Sequence, residues 1–193
     1  MSSVLPTPSA GSAYRGPVRW PLSVEAYHGL GELGLIPERT ELLYGQVFPK
    51  MPKSPLHRLL VLRLLRWLRA SLPADCFLQS EQPLTFVDSE PEPDVSVVRG
   101  SEEDFPRSHP TTAELVVEVC VSSHDYDRDK LRAYAGAGVR EVWLVLGPER
   151  ELERFHQPEE GRYAERTVFS ADAILTSTAL PGVRIPLAEL FRI

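Results

Sequence analysis

Two segments in the second half of the chain are almost continuously apolar. Residues 115–121 read Leu-Val-Val-Glu-Val-Cys-Val, and residues 139–146 read Val-Arg-Glu-Val-Trp-Leu-Val-Leu. Short apolar runs rich in β-branched residues are typical of strands buried on both faces of a sheet. We therefore predict two central strands, joined by a helix that Ser123 caps and that continues through Ala137.

Helical spacing of apolar positions marks two further segments. Residues 22–33 predict a helix with Ser23 as N-cap. A stronger pattern begins at Ser54, a good N-cap residue, followed by Pro55 at the first helical position. It predicts a helix to about Ala70, with Leu60, Val61, Leu64 and Leu68 on its apolar face and four arginines on a polar arc that we expect to be solvated.

The remaining apolar stretches are short and indicate strands and one last turn of helix. We predict strands over residues 41–48, 77–79, 84–87 and 94–98, a hairpin of 151–156 with 162–169, and a short helix over 188–191. Such an order predicts an α+β or α/β fold with helices packed against a sheet. Since no linker divides the chain, we expect one domain over residues 18–193, preceded by a mobile arm over residues 1–17.

Composition and charge are ordinary for a globular protein, with one exception. The chain has 42% hydrophobic and 25% charged residues, and its formal net charge is −6. This charge is the wrong sign for a nucleic-acid-binding protein, unless several of the acids hold a divalent metal. The two cysteines, Cys76 and Cys120, and the lack of a signal-like N-terminus indicate a cytoplasmic protein, and no apolar run is long enough to span a membrane.

Some chemical motifs can be set aside. Residues 29–34 spell GxGxxG, but no strand precedes them, so a frayed helix end is the better interpretation than a dinucleotide site. The histidines and cysteines show no zinc-ligand spacing.

Lysine usage is unusual. Of the 21 basic residues 18 are arginines, and the lysines are Lys50, Lys53 and Lys130. A lysine inside a predicted helix of such a chain indicates a role that arginine cannot fill, because lysine is a compact charge with a tunable pKa. The alternative is a surface lysine that pairs with Asp127.

Two carboxylates carry the main functional signal. Glu118 falls in the middle of a strand that is otherwise suited to a dry sheet, and burying an unpaired carboxylate costs several kcal/mol. Asp94 opens a strand that is expected to lie nearby. Two converging carboxylates repel each other unless a cation lies between them, and Mg²⁺ or Mn²⁺ is the natural choice.

In this order the motifs resemble a known family. The pieces are Glu41-Leu42-Leu43-Tyr44-Gly45, His57, Pro93-Asp94-Val95, Leu115-Val116-Val117-Glu118-Val119, Lys130 with Tyr134, and Gly138-Val139-Arg140-Glu141-Val142-Trp143-Leu144-Val145. Together they are similar to the Uma-type family of putative restriction endonucleases, in the PD-(D/E)XK nuclease superfamily, over roughly residues 20–190. The resemblance implies a central mixed β-sheet flanked by helices. It also implies a metal-dependent endonuclease acting on DNA, with Asp94, Glu118 and Lys130 as catalytic residues and Glu41 as an additional metal ligand.

One departure concerns the lysine. The simple superfamily signature has a lysine two residues after the glutamate, where this chain has Cys120; the resemblance implies that Lys130 on the next helix takes its place. His57, Tyr134 and Cys120 are supporting candidates, although core packing accounts equally for Tyr134 and is the commoner role of a histidine such as His57. Glu41 is alternatively an exposed acid at the start of a strand.

The expected reaction is hydrolysis of a DNA phosphodiester, with Lys130 positioning or deprotonating the attacking water, and cutting both strands would suit a homodimer. Two alternatives stay open. One is a decayed nuclease that binds nucleic acid or a protein partner, which Cys120 and the net acidity favour. The other is a metal-dependent phosphohydrolase of small substrates.

Overall fold

A mixed β-sheet forms the centre of the computed structural model, which describes residues 20–122 and 124–192. Its six strands lie in the order β3-β4-β5-β6-β7-β8; β5 and β6 are parallel, and the other neighbours are antiparallel. The strands of this sheet are β3 (Cys76–Gln79), β4 (Val95–Arg99), β5 (Leu115–Cys120), β6 (Glu141–Leu146), β7 (Glu151–Glu159) and β8 (Arg162–Phe169). This architecture confirms the predicted α+β fold class.

Two small hairpins and five α-helices complete the described part of the chain. The hairpins are β1 (Thr40–Leu43) with β2 (Gln46–Pro49), and β9 (Ile174–Thr176) with β10 (Arg184–Pro186). The helices are α1 (Val24–Glu32), α2 (Pro55–Ala70), α3 (His124–Asp129), α4 (Leu131–Gly136) and α5 (Leu187–Leu190), with a 3-10 turn at Glu102–Asp104. The predicted arm over residues 1–17 and the predicted cap Ser123 lie outside the described residues.

The sheet separates two apolar layers. On one face α2, α5 and the β9–β10 hairpin pack against alternate residues of β5, such as Val117 and Val119. On the other face Tyr134 of α4 packs with Val116 and Cys120 of β5. Since both faces of β5 are covered, all six of its residues are buried, which explains its continuous apolar sequence.

Helix α2 forms as its sequence predicts. Ser54 Oγ accepts a hydrogen bond from the backbone N–H of His57 at 3.2 Å, and Pro55 occupies the first turn. The apolar face, which includes Leu64 and Leu68, is buried. Truncating either of these leucines to Ala would cost about 2–5 kcal/mol of stability. The cap fixes where the helix begins and so where His57 lies.

Two of the predicted strands are wrong. Residues 41–48 form the β1–β2 hairpin, which turns at Tyr44 and Gly45; both have positive φ (53° and 71°), as a two-residue hairpin turn requires. Residues 84–87 form no strand, because their N–H groups bond to loop carbonyls: Leu84 donates to Pro91 and Phe86 to Ser89. The β9–β10 hairpin was not predicted.

A buried acid ties the C-terminal hairpin to the sheet. The Glu141 carboxylate, fully buried on β6, accepts hydrogen bonds from Trp143 Nε1 at 2.6 Å and from the backbone N–H groups of Thr178 and Ala179 at 2.7 Å. The hydroxyls of Ser177 and Thr178 donate two more, both at 2.8 Å. Five donors to one carboxylate offset the cost of burying it.

Candidate active site

A polar cavity of about 270 Å³ opens at the carboxyl end of β5. It lies between the β1–β2 hairpin, the start of α2, the segment that precedes β4, and α3. Its charged lining contains seven acids and four cations: Glu38, Glu41, Glu81, Glu92, Asp94, Glu118 and Asp127, with Arg39, Lys50, Lys53 and Lys130. The excess of negative charge suits a site that receives a cation.

Sheet register places Asp94 and Glu118 side by side. The antiparallel ladder of β4 and β5 pairs Val95 with Val117, so Asp94, one residue before β4, comes next to Glu118. Both side chains are buried, with Asp94 7% and Glu118 3% exposed. The structure thus brings the two predicted acids into one cavity.

Asp94 has one oxygen fixed by the protein and one that faces a lysine. Oδ2 accepts hydrogen bonds from the backbone N–H of Val119 at 2.8 Å and from His57 Nε2 at 3.0 Å, while Oδ1 lies 3.3 Å from Lys53 Nζ. Burial alone would raise the pKa of Asp94, but the His57 and Val119 hydrogen bonds and the Lys53 charge hold this pKa below its ordinary value. Asp94 is therefore a carboxylate with a fixed orientation.

His57 faces Asp94 and not only the core. With Nε2 bonded to the carboxylate, its buried Nδ1 has no hydrogen-bond partner among the described residues. The ring also lines the cavity. Its contact is with the proposed site, so simple core packing does not describe it.

Lys130 lies between two acids. Its Nζ is 3.1 Å from Glu41 Oε1 and 3.2 Å from Glu118 Oε1, and the residue is only 4% exposed. Two tyrosines complete the arrangement: Tyr126 donates to Glu41 Oε1 at 2.8 Å, and Tyr134 donates to Glu118 Oε1 at 2.5 Å. Tyr126, Lys130 and Tyr134 follow one another at intervals of four residues, and all three side chains contact the two acids.

The single ammonium of Lys130 does not balance the negative charge of the acids around Glu118. Burial raises the pKa of Glu118 to about 8 despite the attraction of Lys130, and the charges of Asp94, Asp127 and Glu41 add to the rise. Burial acts to lower the pKa of Lys130, but Glu118 and Glu41 outweigh it and raise this pKa well above its ordinary value. Lys130 is therefore a fixed positive charge, but the acids around Glu118 outnumber it.

A tyrosine hydroxyl interrupts the helix that carries Lys130. Tyr44 Oη donates to the carbonyl oxygen of Asp129 at 2.6 Å and accepts from the N–H of Ala133 at 3.0 Å. These two backbone groups would bond to each other in a continuous helix, so the hydroxyl replaces that bond. The predicted single helix is wrong for this reason: α3 ends at Asp129 and α4 begins at Leu131, with Lys130 between them.

The other predicted candidates occupy different positions. Glu41 is 4% exposed, so the alternative of an exposed acid is wrong. Cys120 is fully buried in the layer with Tyr134 and does not line the cavity. Burial, together with the charge of Asp127 and a hydrogen bond to it, raises the pKa of the Cys120 thiol, so it supplies no charge at neutral pH.

Sequence reasoning missed two residues that line the cavity beside the acids. Lys50 forms an ion pair with Glu92, and Lys53 lies 2.7 Å from Glu81 in addition to its contact with Asp94. The signal was present in the composition, because all three lysines of the chain line this one cavity.

The acids of the cavity are chemically suited to a metal ion, although in the described part of the chain they form no tight cluster of ligands. Within residues 20–122 and 124–192 no three His, Cys, Asp or Glu side chains are close enough together to hold one. The chemistry still fits a hard divalent cation, because the carboxyl groups of Asp94 and Glu118 are adjacent and the acids that line the cavity outnumber its cations. In the same part of the chain, no helix combines the length and the apolar character needed to cross a membrane.

Comparisons with known proteins bear on the family and the fold. The model of the Uma2 family, described as "Putative restriction endonuclease", matches residues 32–188. The fold is similar to a crystal structure described as a putative nuclease belonging to DUF820 from Anabaena variabilis, with a TM-score of 0.74, 16% identity, and coverage of 89% of this chain and 98% of that chain. No curated protein matches the sequence significantly. Since the family match extends over most of the chain, this protein belongs to the Uma2 family of putative restriction endonucleases.

Proposed function

We propose that this protein is a metal-dependent endonuclease that hydrolyses phosphodiester bonds of DNA. The observation that carries the proposal is that Asp94, Glu118 and Lys130 line one cavity, with the ammonium of Lys130 3.2 Å from Glu118. These residues come from a strand start, a buried strand and a helix break. Acids and a lysine assembled from separate elements support a chemical role better than a structural one, because an apolar core would be the more stable alternative.

In the proposed site Asp94 and Glu118 hold Mg²⁺ or Mn²⁺, with Glu41 beside them. The metal, when bound, supplies a Lewis acid that activates water and neutralises phosphate charge. His57 and the Val119 N–H hold Asp94 in a fixed orientation, and Tyr134 does the same for Glu118. This arrangement leaves Asp94 Oδ1 as the oxygen available for a cation.

We assign to Lys130 the stabilisation of negative charge and not the removal of a proton. Its raised pKa keeps the ammonium at neutral pH, so the general-base role expected from the sequence is not favoured. A buried ammonium beside the reacting phosphate lowers the energy of the more negative transition state. We expect Lys130→Arg to be a poor substitute, because the cavity between Glu41 and Glu118 accommodates a compact ammonium.

The test is Mg²⁺- or Mn²⁺-dependent nicking of supercoiled plasmid DNA. Wild type should cleave, whereas Asp94→Asn and Lys130→Met should lose at least about 100-fold in rate. Arg162→Met is the matched control; Arg162 is exposed at the start of the edge strand β8. If wild type cleaves no DNA under either metal while folded, the endonuclease proposal is rejected.

The same experiment separates the alternatives. A decayed nuclease, which Cys120 and the net charge of −6 favour, would bind DNA or a protein without cleaving. Metal-dependent turnover of nucleotides but not of DNA would indicate a phosphohydrolase of small substrates. A homodimer and a cytoplasmic location remain part of the proposal, and light scattering at several protein concentrations tests the first.

A further inference from the structure

All three lysines of this arginine-rich chain line one cavity, and the proposed mechanism uses only Lys130. Lys50 and Lys53 lie on the segment between β2 and α2, which has no regular secondary structure. Their side chains are 23% and 34% exposed, so each ammonium reaches solvent at the rim of the cavity. Lys130, in contrast, is enclosed and cannot leave its two acids without leaving the site.

Both rim lysines make ion pairs that are easily exchanged. Lys50 pairs with Glu92, which is 25% exposed, and Lys53 lies 2.7 Å from Glu81, which is 52% exposed. Ion pairs that reach solvent contribute little to stability, and this applies most to the Lys53–Glu81 pair. The second contact of Lys53, at 3.3 Å from Asp94 Oδ1, is with the very oxygen that the proposed function gives to a cation.

A phosphodiester can approach this acidic cavity only if positive groups, such as the two rim lysines, attract it. Seven acids line it against four cations, and the whole chain carries a net charge of −6. A polyanion is therefore repelled unless positive groups at the entrance meet its phosphates. Lysine suits this role, because it is a point charge on a flexible stem and can move from a carboxylate to a phosphate.

We propose that Lys50 and Lys53 bind backbone phosphates of the substrate next to the reacting bond. In the free protein these lysines neutralise Glu92, Glu81 and Asp94; when a divalent cation and the polynucleotide arrive, they transfer to the phosphates. This inference rests on the proposed function. It deepens that function by requiring a substrate with further phosphates beside the reacting one, that is, a polynucleotide. It also makes Lys53 a competitor of the metal for Asp94.

The test measures the affinity for DNA and the affinity for Mn²⁺, which Lys53→Met should change in opposite directions. The first probe is a fluorescein-labelled DNA duplex of about 20 base pairs, followed by anisotropy with Ca²⁺, which takes the same oxygen ligands as Mg²⁺. A gel confirms that the duplex stays intact. Lys50→Met and Lys53→Met should each weaken binding by about three- to tenfold and reduce the salt slope by about 0.9. Lys53→Arg should restore it.

The second probe is Mn²⁺ alone, measured by calorimetry without DNA. Lys53→Met should bind Mn²⁺ more tightly than wild type by at least about threefold, because the competing ammonium is gone. Lys50→Met, which has no contact with Asp94, should change Mn²⁺ affinity less. The control for both probes is Arg162→Met: register puts Arg162 at the end of the sheet opposite the site, so it removes a matched charge far away.

The outcomes separate this inference from the proposed function. Equal loss of DNA affinity in Lys53→Met and Arg162→Met would indicate general electrostatics and overturn the assignment of the lysines. So would an unchanged salt slope, or weaker Mn²⁺ binding by Lys53→Met. If wild type cleaves plasmid DNA while the lysine variants bind the duplex normally, only this inference fails. If wild type neither binds nor cleaves DNA, both fail.

Discussion

Replacing Glu118 by Gln should stabilise the folded protein above neutral pH, the reverse of what such a change does to most buried acids. Burial and the neighbouring Asp94, Asp127 and Glu41 raise the pKa of Glu118 from 4.5 to about 8. The hydrogen bonds from Lys130 and Tyr134 both go to Oε1. An amide oxygen in that position keeps both donors, while the carboxylate charge is removed.

The magnitude follows from the two pKa values. Because the folded-state pKa is above the unfolded one, the folded protein keeps a proton that the unfolded chain has lost. The stability that this proton contributes is complete below about pH 4.5 and is lost, at about 1.4 kcal/mol per pH unit, as pH rises toward 8. Wild type should therefore lose about 2 kcal/mol between pH 6 and pH 8 through this group, because the slope falls as pH reaches the folded-state pKa, and Glu118→Gln should not.

Urea unfolding in EDTA, followed by tryptophan fluorescence at steps from pH 6 to pH 9, measures this difference. The matched control is Glu153→Gln. Glu153 is 3% exposed and is held by two arginines, with Arg128 at 2.6 and 2.7 Å and Arg166 at 2.8 and 3.2 Å. Removing its charge should cost about 3 kcal/mol or more at every pH tested.

A difference in unfolding free energy between Glu118→Gln and wild type that is independent of pH would contradict this prediction. So would an equal loss of stability in Glu118→Gln and Glu153→Gln. Either result would mean that Lys130 already neutralises Glu118 and that the site has no unbalanced negative charge to offer a cation.

Three further variants test other contacts. Lys130→Met leaves Glu41 and Glu118 without the ammonium that lies between them, so we expect a loss of about 3–5 kcal/mol at neutral pH that shrinks on acidification, measured by urea unfolding. Glu141→Gln places an amide N–H₂ against at least one of five donors and should cost about 2–4 kcal/mol, seen as a lower midpoint of thermal unfolding. Tyr44→Phe allows Ala133 to donate directly to Asp129, so hydrogen exchange at Ala133 should slow while plasmid nicking decreases; faster exchange would contradict the helix interruption.

Strong local patterns made much of the fold predictable. β5 and β6 were recognisable because both faces of each strand are covered, and α2 because its cap and apolar face agree. The acids of the site were predictable for a related reason. A carboxylate such as Glu118 contradicts its apolar surroundings, and such local conflicts are concentrated at functional sites.

The features that were missed depend on contacts between distant parts of the chain. The turn at Tyr44 and Gly45 lacks the usual Asn-Gly signal, and Tyr44 keeps its positive φ because Ser89 Oγ accepts from its N–H at 2.9 Å. The break at Lys130 is caused by a hydroxyl 85 positions away from Asp129 in sequence. The apolar pattern of a short sequence segment carries no information about either of these long-range contacts.

The connection between β5 and β6 supplies a large part of the proposed site from one continuous stretch of the chain. Glu118, Tyr126, Lys130 and Tyr134 all belong to one strand–helix–helix unit, and 12 and 16 positions separate Glu118 from Lys130 and Tyr134. Two of the four charged residues, Glu118 and Lys130, therefore lie in one contiguous stretch of sequence that forms a βαβ unit. The other half, Glu41 and Asp94, is contributed by separate segments. Substitution of Glu41 or Asp94 alone would leave the contacts of Lys130 and Tyr134 with Glu118 in place, so the centre can lose an acid without losing these contacts.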